Sequence, residues 1–173
     1  MKLKEGDIFE FSISENSKCY GQIVNFYKKD AFTIVIFKGS YRSRPNTEEL
    51  LKDDILFFGN TFDAKFHHKH WIVIDNVTSN LKNIKFPYYK IGTDPVYIQD
   101  FFDNKLRKVT VGEEDVLDYK TYNAPVGFEL AMKAYYKITE WNESYDEMLY
   151  SNVIKSIELV ENNDGPKIKR TWW

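Results

Sequence analysis

The stretch Lys4-Glu5-Gly6-Asp7-Ile8-Phe9-Glu10-Phe11, followed across a polar turn by Tyr20-Gly21-Gln22-Ile23-Val24-Asn25-Phe26, decides how this chain is read. Phe9, Phe11 and Ile13 alternate with Ile8, Glu10 and Ser12, so a strand here has one wholly apolar side and one mixed side. The second run faces the first as the other arm of a hairpin, and Gly6-Asp7 makes the corner that leads into it. This hairpin is the expected seed of the sheet.

Working outward, Phe32-Thr33-Ile34-Val35-Ile36-Phe37 is a short, nearly unbroken run of β-branched and aromatic residues. That pattern predicts a central strand buried on both faces. Asn46 and Glu49 have capping-box spacing, which predicts a helix of one or two turns through Leu50 and Leu51. Ile55-Leu56-Phe57-Phe58-Gly59 and His70-Trp71-Ile72-Val73-Ile74 read as further strands of the same sheet. Pro87 sends the segment Lys85–Ile91 to an edge or a loop, because proline cannot donate to a ladder. Val96-Tyr97-Ile98 and Leu106–Val111 flank Asp103-Asn104-Lys105 as another hairpin.

The period then changes. Pro125 suits a first helical position, and Phe128, Ala131, Met132 and Tyr135 recur at helical spacing, with Glu129 and Lys133 placed for an i,i+4 pair. Ser144 and Glu147 repeat the capping-box spacing before Met148. Val153–Val160 fits a strand or a helical extension, and its β-branched content favours the strand. Together these elements predict an α+β fold: a strongly bent, mainly antiparallel, partly barrel-like sheet with helices in the C-terminal third. One domain is expected over residues 1–161, with 162–173 as a flexible tail.

Bulk properties narrow the class. At 173 residues and 43% hydrophobic content the chain can bury one substantial core. A net charge of -2 disfavours a general nucleic-acid binder, which needs a strongly basic face to displace phosphate counterions. The single Cys19 cannot form an internal disulfide, and the charged opening Met1–Asp7 lacks a signal peptide's apolar core, so a cytoplasmic location is expected. No run approaches the roughly 18 apolar residues of a membrane span.

Chemistry-bearing motifs are sparse. His68 and His70 on one strand would point the same way, yet a zinc site needs three or four ligands and no partner set accompanies them. No nucleophile elbow or phosphate loop is present. Neither a metal, a cofactor nor a catalytic residue is therefore assigned. Charge placement is more informative: Glu113, Glu114, Asp115 and Asp118 form an acidic run, and Tyr119, Tyr122, Trp141 and Tyr145 are interleaved with it and with the acids Glu140, Glu143, Asp146 and Glu147. Acids mixed with rings make a surface that steers toward a basic partner and anchors it, and the competing reading for each residue is an ordinary solvated charge. An enzyme acting on phosphoesters with His68 and His70, and a small nucleic-acid-binding barrel, stay open on the residues alone.

Taken in order, Lys4–Phe9, Tyr20–Val24, Glu48-Glu49-Leu50-Leu51, Ile55-Leu56-Phe57 and Trp71–Ile74 resemble the immunity protein 26 family of bacterial polymorphic toxin systems, over about Lys2 to Tyr136. Gly6, Asp7, Phe9, Tyr20, Gly21 and Trp71 carry the resemblance as scaffold. Departures are Asp75, where the family often continues with glycine, and a long C-terminal extension. The resemblance implies a cytoplasmic protein that binds and neutralises a cognate toxin domain, with charge complementarity pointing to a basic nuclease. Members are sometimes labelled phosphotriesterase, but the paired metal ligands and activated nucleophile such hydrolysis needs are not recognisable here. The oligomeric state is left open.

Overall fold

The computed structural model describes residues 2–28 and 31–163. Their contacts divide into two compact units, residues 1–84 with 121–150, and residues 85–120 with the segment from 151 onward.

In the first unit the hairpin forms as the alternation requires. β1 (Asp7–Ser14) pairs antiparallel with β2 (Ser17–Lys28), with Phe9 opposite Gly21 and Phe11 opposite Cys19. β3 (Ala31–Phe37) is buried along its whole length and lies inside the sheet, between β2 and β4 (Ile55–Phe62). β5 (Ile72–Asn76) adds to the other side of β1, giving the order β4-β3-β2-β1-β5. All these pairings are antiparallel, and β4 and β5 are the two edges, so the sheet stays open rather than closing into a barrel. The capping box at Asn46 is present in full: its side chain accepts from the Glu49 amide while the Glu49 carboxylate accepts from the Asn46 amide, starting α1 (Thr47–Leu50). α2 (Ala64–His67) precedes β5.

The core of this unit lies between one face of the sheet and α4 (Pro125–Tyr135). Phe9, Phe11, Ile23, Phe32, Ile34, Ile36 and Phe57 pack with Phe128, Ala131 and Met132. Burying a side chain of this size contributes roughly 1.5–3 kcal/mol, so the i, i+3, i+4 stripe on α4 is what fixes the helix to the sheet. A buried polar network sets where α4 begins. Thr33 Oγ1 donates to Asn60 Oδ1 at 2.7 Å, Asn60 Nδ2 donates to the Thr121 carbonyl at 3.1 Å, and Thr61 Oγ1 donates to the Asn123 carbonyl at 2.8 Å.

In the second unit β6 (Tyr89–Ile91), β7 (Tyr97–Gln99) and β8 (Lys105–Lys108) form a separate antiparallel sheet. Pro87 stands just before edge strand β6, and the Asp/Asn turn joins β7 to β8. α3 (Glu113–Val116) follows, and α5 (Tyr150–Asn163) packs Val160 with Ile98, Tyr88 and Leu117.

Three local expectations are corrected. Residues 153–160 are helical, because Val153, Ser156 and Val160 are buried at spacings of three and four that a strand would split between opposite faces. The helix preceding it is a 3-10 turn, Glu143–Met148, capped by Asn142 through the Ser144 amide, so Ser144 is not the cap. Glu129 pairs with Lys65 at 3.0 Å rather than with Lys133. α5 also runs through Asn162 and Asn163, and the remainder of the expected tail, 164–173, lies outside the described residues.

Candidate functional site

The residues singled out as scaffold each have a packing reason. Gly6 has φ +86°, and a Cβ there would lie 2.7 Å from the Val77 carbonyl oxygen, so a side chain is excluded on both counts. Asp7 ties the corner by accepting from the Lys4 amide and from Asn76 Nδ2, each at 2.8 Å. A Cβ on Gly21 would lie 2.5 Å from the Phe9 ring and 2.6 Å from the Val35 carbonyl. The space Gly21 leaves is filled by Phe9, which stacks on Trp71 with ring centroids 4.7 Å apart. Trp71 is buried and donates its indole N–H to Glu129 Oε1 at 2.8 Å, linking β5's approach to α4. Asp75 accepts from the Thr47 hydroxyl and the Asn76 amide, tying α1 to β5.

The other face of β1 carries a charged group that sequence reasoning missed. Glu10 is buried at 4% exposure, and its carboxylate accepts from Arg44 Nε at 3.0 Å, Arg44 Nη2 at 2.8 Å and Lys18 Nζ at 2.9 Å. Tyr20, fully buried, turns its hydroxyl toward the same carboxylate at 3.5 Å. Burial by itself would raise the Glu10 pKa, but the hydrogen bonds from Arg44 and then Lys18 outweigh it and hold it below the ordinary value. The two cations stay half exposed, Arg44 at 53% and Lys18 at 40% of their side-chain area. The signal in the sequence was a carboxylate in mid-strand between apolar neighbours, which needs partners from elsewhere.

The acidic-aromatic set is divided. Glu113, Glu114, Asp115, Asp118 and Tyr119 belong to the second unit, while Tyr122, Trp141 and Tyr145 belong to the first. Glu113 is corrected as a surface residue: it has no exposure, and its carboxylate accepts from Arg107 Nη2 and Nη1 at 2.8 Å each, the Thr110 amide at 2.6 Å and Asn163 Nδ2 at 3.0 Å. The Arg107 guanidinium, acting against the cost of burial and helped by the Thr110 amide and Asn163, lowers its pKa to about 2. Glu114, Asp115 and Asp118 are exposed, and Tyr119 is anchored through its hydroxyl on the Gly92 carbonyl at 3.0 Å with the Lys90 ammonium 5.1 Å from its ring.

Trp141 and Tyr145 touch edge to face at 5.5 Å, and Trp141 is also stacked on buried Phe57 at 6.3 Å with its N–H on Asp146. Tyr122 contacts different rings, Phe62 at 5.7 Å and Tyr27 at 6.0 Å. His67 closes α2, and His68 and His70 lie in the exposed turn before β5, so the two histidines do not share a strand face. Among the described residues no group of three or more His, Cys, Asp or Glu is placed to hold a metal ion. Cys19 is buried in the core, where desolvation pushes its thiol up to about 12, the opposite of activation.

Comparison with protein families adds one finding. The family model described as Immunity protein 26 matches residues 4–95, which is more than half of the chain. The chain belongs to the immunity protein 26 family. The matched span contains β1 to β5, and with them Gly6, Asp7, Phe9, Gly21, Trp71 and the Glu10 cluster. The immunity protein 26 match stops before β7, so α4, α5 and the acidic-aromatic residues lie beyond it. No curated protein and no solved structure matches the chain. No helix among the described residues is long and apolar enough to cross a membrane.

Proposed function

We propose that the chain is a cytoplasmic bacterial immunity protein that neutralises a cognate toxin domain by binding it, without catalysing a reaction. The observation that carries this reading is the family match over residues 4–95, the span whose strands build the five-stranded sheet. Within it the buried charged and polar side chains have structural partners: Glu10 is held by Arg44 and Lys18, and Gln22 donates to the Val77 carbonyl at 2.7 Å. Groups engaged in this way stabilise a rigid scaffold, which suits a partner that binds without reorganising.

The proposed contact residues are the exposed members of the acidic-aromatic set, Glu114, Asp115, Asp118 and Tyr119 in one unit and Tyr122 and Trp141 in the other, with half-buried Tyr145 beside Trp141. Such residues favour a basic, nuclease-type toxin. The test is co-production with a toxin domain sought in the reading frames that neighbour this chain's. Survival of the producing cells and co-elution of the two proteins are expected. Toxicity that persists with well-folded chain present, or hydrolysis of a phosphoester by the purified chain with stoichiometric metal, would overturn the reading. Neutralising Glu114, Asp115 and Asp118 together should weaken protection, and unchanged protection removes these three residues from the proposed contacts.

A further inference from the structure

We infer that the half-exposed cations over Glu10 form a receiving site for carboxylates on the toxin partner. The inference rests on the proposed function and concerns other residues than the acidic ones. Around a single buried carboxylate the structure gathers two cations, Lys18 from β2 and Arg44 from the loop after β3. Arg42, exposed, lies two residues before Arg44 in the same loop. Glu10 neutralises only one of the two charges, so this face carries a positive excess in a chain whose net charge is -2.

The donors are also held in position. The backbone of Lys18 exchanges two hydrogen bonds of 2.9 Å with Tyr41, which fixes the loop to the strand. Glu10 accepts from Nε and Nη2 of Arg44 and from Lys18 Nζ, and both cationic side chains remain about half exposed, so each keeps donor capacity beyond these bonds. A guanidinium clamped by one carboxylate has lost most of its side-chain freedom, so a second carboxylate binds it at a lower entropic cost. Balancing Glu10 requires the inner N–H groups of the two cations, and their half-exposed outer faces are what a partner's carboxylate could meet.

Truncating Arg44 alone would leave buried Glu10 with one cation, Lys18, and destabilise the fold. The test therefore uses Lys18→Gln with Arg42→Glu, which keeps the Arg44 fork on Glu10, and separately the triple variant Glu10→Gln, Lys18→Gln, Arg44→Gln, which removes the buried charge with its partners. Affinity for that toxin domain is measured at several salt concentrations, with melting temperature as the folding control. The expected result is a loss of about tenfold or more in affinity for the first variant, mostly in the association rate, with a shallower salt dependence. The triple variant, where folded, shows the same loss. Wild-type affinity and salt dependence in a folded double variant overturn the carboxylate site while leaving toxin binding in place. Absence of binding by the wild-type chain overturns the proposed function itself. Wild-type binding of a single-stranded RNA oligonucleotide that the double variant abolishes, with toxin affinity unchanged, assigns the cations to phosphate and also overturns the inference.

Discussion

Replacing Glu113 by glutamine should loosen the second unit, and the size of the effect follows from the site. The carboxylate has no exposure and accepts four hydrogen bonds, which join Arg107 on β8, the Thr110 amide, and Asn163 at the end of α5. Its pKa falls from 4.5 to about 2 on folding. At about 1.4 kcal/mol per pH unit, this gap corresponds to about 3 kcal/mol of stability near neutral pH. The folded pKa is depressed, so the contribution is complete above 4.5 and is lost as pH falls through about 2. By the same linkage about 1 kcal/mol should remain at pH 3. Glutamine keeps the shape but turns an N–H toward groups that are themselves donors, leaving at least one buried donor unsatisfied. Native-state hydrogen exchange, followed on peptides covering 105–117 and 150–163, reads this unit by itself. Wild type and Glu113→Gln should differ by about 3 kcal/mol at neutral pH and much less at pH 3. A neutral-pH difference below about 0.5 kcal/mol, the range of ordinary surface changes, or one that does not narrow in acid, would refute the argument.

Gly21→Ala places a methyl group against the Phe9 ring and the Val35 carbonyl inside a paired strand, and should cost about 1–3 kcal/mol as overpacking, seen as a lower urea midpoint with an unchanged slope. Trp71→Phe keeps a ring over Phe9 but leaves Glu129 with Lys65 as its remaining side-chain partner. It should lower stability by about 1–3 kcal/mol, measured by thermal unfolding in far-UV circular dichroism. Asn46→Ala removes the oxygen that accepts the Glu49 amide, and should cost about 1 kcal/mol in the same assay.

Sequence reasoning succeeded where the decisive interaction is local. The β1–β2 hairpin, buried β3 and the Asn46 capping box follow from alternation, burial length and a three-residue spacing, and all three form as expected. It failed where the outcome depends on a distant partner. Residues 153–160 have the β-branched content of a strand, but the sheet formed by β6, β7 and β8 needs a helical stripe over Ile98, and Val160 supplies it. Glu113 looked like one of a solvated acidic run because Arg107 and Asn163, six and fifty residues away, cannot be assigned to it from spacing. Glu10 was likewise placed on the mixed side of β1 without Arg44, which reaches it from a loop thirty-four residues on.

The same geometry separates what holds this protein together from what can meet a partner. Gly6 is excluded from carrying a side chain by Val77, Gly21 by Phe9, and Phe9 is stacked on Trp71, whose one polar atom is taken by Glu129. A residue enclosed in this way can influence binding only by holding something else in place, so changing it should appear first as lost stability. Arg42, Arg44, Glu114 and Asp118 have the opposite property: they are exposed on loops or at element ends, and such sites usually tolerate exchange within about 0.5 kcal/mol unless they support a buried partner, as Arg44 does. The enclosed residues named here all lie within the matched span except Glu129. If the chain binds a toxin as proposed, discrimination between partners falls to the exposed set, where a like charge facing a wrong partner is enough to exclude it.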